Sequence, residues 1–294
     1  MECRRFANVA FPAYRLAMRV IHTIAEARAA RGFGSLALVP TMGALHAGHL
    51  SLVQTARARA DAVAVSIFVN PTQFGPREDY TRYPRPIEAD LAKCEAAGVD
   101  WVFAPTEAEM YPPSSPAIVI DLPMVDNVLE GKHRPGHFRG VCQVVAKLFN
   151  IVQPSVACFG QKDFQQLRVL SCMVEALNWP IEMVACPTLR DADGLAMSSR
   201  NQYLSPVERQ KALSISRTLF NSQEMVAGGV KQASRLITKM QQDLLAQHLS
   251  IDYVAAVDPL TLKPVEVMTG PTVLAIAVRV GATRLIDNVV VTPS

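Results

Sequence analysis

Over roughly the first two-thirds of the chain, short apolar runs alternate with stretches in which apolar residues recur every three to four positions. Runs at 35–39, 62–69, 101–104, 156–159 and 181–186 predict strands, and the stretches 49–60, 87–97, 141–152 and 164–177 predict helices between them. In 141–152, Val141, Val144, Val145, Leu148, Phe149 and Val152 fall on one helical face, which is expected to pack on a sheet. This alternation builds βαβ units around a parallel sheet, an α/β architecture. Past Pro187 the pattern changes. Helical periodicity over 206–220 and 230–248 precedes strand-like runs at 251–257, 272–280 and 284–291, the order of a smaller α+β domain. The boundary is placed near Cys186, giving domains 1–186 and 187–294.

Two stretches interrupt the alternation. One, 70–86, carries Pro71, Pro76, Pro84 and Pro86; the other, 131–140, reads GKHRPGHFRG. Proline and glycine at this density predict loops, and loops of this length usually carry function. No internal repeat or low-complexity segment is visible.

Composition narrows the classes. The 294 residues leave room for two unequal domains, and a chain 50% apolar and 19% charged is an ordinary globular one. The start, MECRRFANVAF, lacks the apolar core of a signal peptide, and no run approaches the ~20 apolar residues that cross a bilayer, so no membrane association is expected. Cys3, Cys94, Cys142, Cys158, Cys172 and Cys186 are scattered without a C-x-x-C pair or zinc-site spacing, which predicts reduced, mostly buried thiols. The net charge of +3, with no clustered Lys and Arg, argues against nucleic acid as a partner.

Three segments carry candidate chemistry. Val39-Pro40-Thr41-Met42-Gly43-Ala44-Leu45-His46-Ala47-Gly48-His49 follows the first predicted strand and opens a helix. Open α/β sheets bind ligands at strand carboxyl ends, where a helix N-terminus offers N–H groups to phosphate. His46 and His49, three apart, can face the same way, and Gly48 leaves room for a ring or sugar to approach the backbone; the alternative is two unrelated histidines and a turn glycine. Gly160-Gln161-Lys162-Asp163 follows another strand: lysine can neutralise phosphate and aspartate can accept from ribose hydroxyls, or Asp163 merely caps a helix. Met197-Ser198-Ser199-Arg200-Asn201 follows Arg190-Asp191-Ala192-Asp193-Gly194. Its hydroxyls and guanidinium suit a phosphoryl group, or it is a polar interdomain loop.

H-x-G-H after the first strand with a late M-S-S-R segment resembles the HIGH and KMSKS signatures of the nucleotidyl-transferring superfamily. PTMGALHAGHLSLV, FVNPTQFGP with DYTRYPR, GHFRGV, FGQKDFQQL, RDADGLAMSSRNQYLS and AVRVGATRLIDNV together resemble the pantothenate synthetase family, from about Pro40 to Asn288. That resemblance implies a Rossmann-like parallel-sheet domain covered by the C-terminal α+β domain. It implies an ATP-dependent ligase joining pantoate to β-alanine through a pantoyl adenylate, with Mg2+ accompanying ATP, a homodimer and a cytoplasmic setting. It further implies ATP binding by Met42, Gly43, Ala44, Leu45, His46, Ala47, Gly48, His49, Gly160, Gln161, Lys162, Asp163, Leu189, Met197, Ser198, Ser199 and Arg200. His49, the residue usually assigned as proton donor, is implied to be catalytic together with His46, Lys162 and Arg200, and Gln73 and Gln166 are implied to hold pantoate, Gln73 also lying near β-alanine. Ala47 stands where glutamate is common and Leu189 where valine is; neither side chain is needed for the chemistry. The residues implicate no metal ligand. Two rival readings are a transferase that hands the nucleotide to a phosphate, which shares H-x-G-H but is not expected to carry GQKDFQQL and MSSRNQYLS together, and a synthetase remnant that binds RNA, for which a basic stripe is missing.

Overall fold

The computed structural model describes residues 17–32, 34–76, 78–116 and 118–293. In chain order the elements are β1 (Arg19–Ile21), α1 (Ile24–Ala30), β2 (Leu36–Thr41), α2 (Ala47–Arg57), β3 (Ala62–Ile67), α3 (Ile87–Ala96) and β4 (Trp101–Phe103). They continue through α4 (Glu107–Met110), α5 (Pro123–Asp126), α6 (Leu129–His133), α7 (His137–Val152), β5 (Val156–Gly160), α8 (Phe164–Ala176) and β6 (Glu182–Cys186). The chain ends with α9 (Pro206–Ala227), α10 (Ala233–Ala246), β7 (Ser250–Val257), β8 (Thr272–Val280) and β9 (Thr283–Val291).

Among the described residues, six strands form a parallel sheet in the order β1-β4-β3-β2-β5-β6, and β7-β8-β9 form an antiparallel sheet. The expected α/β sheet with an α+β appendage is present. β2, β3 and β5 are nearly continuous apolar runs because helices cover both faces of a parallel sheet.

The expected loop at 131–140 is corrected. Gly131–His133 belongs to α6, and α7 begins at His137, not at 141. Only Arg134-Pro135-Gly136 separates the two helices, with Gly136 at φ +82°. Gly140 lies inside α7 for a packing reason: a Cβ there would fall 2.2 Å from the Thr72 carbonyl oxygen, so its absence lets α7 lie against the turn Pro71–Gln73. β1 and α1 precede the first expected strand, and Thr23 and Glu26 form a reciprocal cap at the α1 N-terminus.

The C-terminal sheet is packed on both faces. Val257, Val273 and Ala275 join the core containing Phe138 and Leu170, whereas Leu274, Ile276 and Val278 pack with Leu219, Leu236 and Met240 of α9 and α10. Arg284 of β9 gives both terminal nitrogens to Glu130 of α6 (2.6 and 2.8 Å) and its Nε to Asp252 (2.6 Å), and Tyr253 donates to Glu130 at 2.9 Å. Cys94, Cys142, Cys158 and Cys186 carry buried thiols outside any disulfide and Cys172 a half-buried one; Cys3 lies outside the described residues. No helix among the described residues is long and apolar enough to cross a membrane.

Candidate active site

From β2 the chain goes to β3 on one side, while β5 pairs on the other, so the strand order reverses between β2 and β5. A doubly wound sheet opens a crevice at the carboxyl ends of its strands at such a point. The Met42–His49 stretch leaves β2 there, and Gly160-Gln161-Lys162-Asp163 leaves β5 there. A cleft of about 230 Å³ occupies this position, lined by Met42, His46, Gly48, His49, Gln73, Gly160, Lys162, Asp163, Gln166, Leu189, Met197, Ser198, Ser199 and Arg200. The separate segments singled out in the sequence therefore meet. Gly43, Ala44, Leu45, Ala47 and Gln161 do not line this cleft.

The turn before α2 is built by a residue outside every motif. Asp90 of α3, fully buried, accepts from the Ala44 and Leu45 amides, each at 2.7 Å, while Lys93 donates to the Leu45 carbonyl at 2.6 Å. Gly43 and Ala44 both have positive φ, at +80° and +50°, so the carboxylate holds the chain through a sharp reversal that delivers His46 as the α2 N-cap.

The two histidines are oriented by backbone. His46 Nδ1 accepts from the Gly48 amide at 3.2 Å and His49 Nδ1 accepts from the His46 amide at 3.3 Å, and the rings lie 4.1 Å apart. An amide can only donate, so each ring carries its proton on Nε2. Burial first, then nearby cations, depresses both: His46 to about 4, with Lys162 the leading charge, and His49 to about 3, with His46 and Lys162 contributing. Both are neutral hydrogen-bond donors at neutral pH. Gly48 lines the cleft, and it also makes room for its neighbour, because a Cβ there would meet the His46 ring at 2.9 Å.

Lys162 has 18% of its side chain exposed and its nearest carboxylate, Asp163, is 3.8 Å away. Arg200 is already engaged: its Nε and Nη2 donate to Asp79 at 3.1 and 2.9 Å, leaving part of the fork for a ligand. Tyr83 and Ser199 share a hydrogen bond of 3.1 Å. The 70–86 segment is thereby tied to Ser199 and Arg200 and forms one wall of the cleft through Asn70, Gln73, Phe74 and Tyr83.

Gln73 is buried and held from several sides. Its side-chain oxygen accepts from Asn70 at 3.0 Å and its amide nitrogen faces the Met42 sulfur at 3.2 Å. A relay fixes its backbone. Glu78 takes a bidentate pair from Arg134, both at 2.7 Å; Arg134 donates to His137 Nε2 at 3.0 Å; and His137 Nδ1 donates to the Gln73 carbonyl at 2.9 Å. Because Arg134 can only donate, the His137 tautomer is determined, and burial together with Arg134 pushes the ring down to about 4. The Gln166 side chain makes no hydrogen bond to the described residues and lines the cleft, whereas neighbouring Gln165 is a structural clamp on Val125, Val128 and Glu130. Val141, Val144, Val145 and Leu148 of α7, expected only to pack on the sheet, also give the cleft an apolar wall.

Among the described residues no group of three or more His, Cys, Asp and Glu side chains is placed to hold a metal ion. Asp163 is the carboxylate in the cleft lining. A second cavity of about 570 Å³, meeting the first at Arg134, Lys162, Asp163, Ser198 and Arg200, opens toward β9.

The profile of the Pantoate-beta-alanine ligase family matches residues 18–290. The chain is 53% identical over 279 residues to the pantothenate synthetase of Moorella thermoacetica, covering 93% of this chain and 98% of that protein. It is 54% identical over 275 residues to the one from Chloroflexus aggregans, covering 92% and 99%. A crystal structure of pantothenate synthetase from Thermus thermophilus superposes with a TM-score of 0.89 at 46% identity, over 94% of this chain and all of that one. The pantoate-beta-alanine ligase of Francisella tularensis, complexed with beta-gamma ATP and beta-alanine, gives 0.78 at 32% identity over 93% and 97%.

Proposed function

Since the chain belongs to the pantoate–β-alanine ligase family, we propose that the cleft between the ends of β2 and β5 carries both halves of an ATP-dependent ligation of pantoate to β-alanine. The observation that carries this reading is the convergence of His46, His49, Lys162, Ser198, Ser199 and Arg200 on one cleft that Gln73, Gln166 and the apolar residues of α7 also line. The cationic and hydrogen-bonding groups suit a polyphosphate, and the two amides with the apolar residues suit a small hydroxy acid with two methyl groups.

The chemistry follows from what a carboxylate lacks. Its charge is delocalised and oxide is a poor leaving group, so an amine cannot displace it directly. The pantoate carboxylate attacks the α-phosphorus of ATP, the bond to the pyrophosphate oxygen breaks, and a pantoyl adenylate remains. Lys162 meets the charge that grows on the departing pyrophosphate, with the Nε2–H groups of His46 and His49 and the free part of the Arg200 fork as hydrogen-bond donors. His49, held neutral, serves through a hydrogen bond, which refines the proton-donor role that the resemblance implies. Gln73 and Gln166 hold pantoate with uncharged amides, leaving its carboxylate nucleophilic. The β-alanine amine then attacks the acyl carbon and AMP leaves, behind a wall that keeps water from the anhydride.

Mg2+ usually keeps several waters and binds through substrate phosphates with one or two carboxylates, which a lining containing Asp163 and no carboxylate cage fits. Asp163 would hold the ion, whose contribution is to neutralise phosphate charge. The division at residue 186, a homodimer and a cytoplasmic setting complete the reading; light scattering that finds only monomer would remove the dimer.

The test is isotope exchange between pyrophosphate and ATP. Exchange is expected to need pantoate and Mg2+ and to proceed without β-alanine. An enzyme that exchanges only when β-alanine is present, or that releases ADP and inorganic phosphate, contradicts the adenylate route.

A further inference from the structure

The run Arg284-Leu285-Ile286-Asp287-Asn288 on β9 belongs to the last of the family-like segments, yet the mechanism above uses none of it. Asp287 and Asn288 are 4% and 7% exposed within a strand otherwise rich in Leu, Ile and Val. A carboxylate and an amide buried there must have partners. Asn288 Nδ2 donates to the Gln161 carbonyl at 3.0 Å and to the Lys162 carbonyl at 2.8 Å. Both hydrogens of one amide nitrogen are thus committed to consecutive carbonyls of the turn Gln161–Asp163. Asp287 grips Arg190, its oxygens accepting from Nη1 at 2.6 Å and Nη2 at 3.0 Å. Arg190 pairs across a bridge with Ala196, and the Met197 amide bonds to the Leu189 carbonyl at 3.0 Å, so this grip fixes the hairpin that leads into Ser198-Ser199-Arg200.

We propose that Asn288 is a positioning residue for Lys162, and that through it the C-terminal sheet sets where the lysine ammonium meets the phosphates. The proposal rests on the assignment of Lys162 made above. A lysine ammonium sits on a flexible four-carbon stem, so its place in the cleft is decided by where its backbone is held. Asn288 holds that backbone on both sides of the Lys162 Cα. With Asp287 on the neighbouring hairpin, two consecutive residues of β9 fix the separation between the two phosphate-facing segments.

The experiment is a double-mutant cycle in the full chain: Asn288→Ala and Asn288→Ser, each alone and combined with Lys162→Ala. Pyrophosphate exchange turnover, the ATP KM and a thermal melt are read for each. Asn288→Ala is expected to slow exchange about ten- to a hundredfold, the scale of a small misplacement of a catalytic group, with little change in the ATP KM. Asn288→Ser, which keeps a donor for one carbonyl, is expected to retain more of the rate. In the Lys162→Ala background neither substitution is expected to slow exchange further. An equal slowing in both backgrounds, or full turnover in a folded Asn288→Ala enzyme, overturns the proposal. If the Ala variant does not fold, the Ser variant carries the same comparison. An unimpaired Lys162→Ala enzyme overturns the assignment of Lys162, and the proposal with it, which separates that failure from an additive cycle.

Discussion

Lys162→Ala is expected to lower turnover by about 10²–10³, with the ATP KM little changed, because removing one preorganised stabiliser of developing charge typically costs that much. Three features point to so large an effect. The ammonium is mostly shielded, at 18% exposure, so its field in the cleft is weakly screened. Its only ion contact among the described residues is the 3.8 Å approach of Asp163, which leaves its charge available to a ligand. Its neighbours cannot replace it: the histidines are neutral, and Arg200 has already committed two nitrogens to Asp79. Steady-state kinetics with all three substrates, together with the exchange rate, reads the effect. A variant with normal turnover and only a raised ATP KM would place Lys162 in ground-state binding.

Gly140→Ala is expected to damage both stability and pantoate use. The new Cβ would lie 2.2 Å from the Thr72 oxygen, 2.4 Å from the Thr72 carbon and 2.6 Å from the Gln73 Cα, all backbone atoms that no rotamer change can move aside. α7 and the turn Pro71–Gln73 must separate. That motion strains the hydrogen bond from Asn70 to the Gly140 carbonyl (3.0 Å) and the His137 contact with Gln73. Overpacking of this kind costs roughly 1–3 kcal/mol. Since Gln73 moves with the turn, the pantoate KM is expected to rise about tenfold or more, the effect of displacing a positioning group. Gly270→Ala, where a Cβ meets nothing within 4 Å, is the control and is expected to melt as the parent does. A Gly140→Ala enzyme with the parent's denaturation midpoint and pantoate KM would show that the close approach is dispensable.

The parallel sheet and its helices were legible because β2, β3 and β5 are buried apolar runs and α7 carries a clean stripe of Val141, Val144, Val145 and Leu148. Short elements were less so: β1 is three residues with Val20 exposed, giving no pattern to read. The T-x-x-E cap of α1 was a usable signal, as was the Asp287-Asn288 pair interrupting an apolar strand. The 131–140 segment reads as a loop because glycine and proline are helix breakers, whereas Gly140 stands inside a helix for a close approach between backbones. Of the site, the motif residues that reach the cleft were visible in the sequence. What surrounds them was not. Asp90 looks like an ordinary polar residue of an amphipathic helix, and nothing local says that it holds the Ala44 and Leu45 amides some 45 positions earlier. Arg134 and His137 lay in the supposed loop, so their relay to Gln73 becomes visible only once the fold brings Glu78 beside them.

The central claim is that pantoate attacks phosphorus in this cleft, and the fate of an oxygen label tests it most directly. Pantoate carrying 18O in its carboxylate is turned over with ATP, Mg2+ and β-alanine, and the products are read by phosphorus NMR and mass spectrometry. The account predicts that one labelled oxygen per turnover appears in AMP, carried across when the acyl–oxygen bond of the adenylate breaks, and that pyrophosphate stays unlabelled. Label in inorganic phosphate, accompanied by ADP, would contradict it.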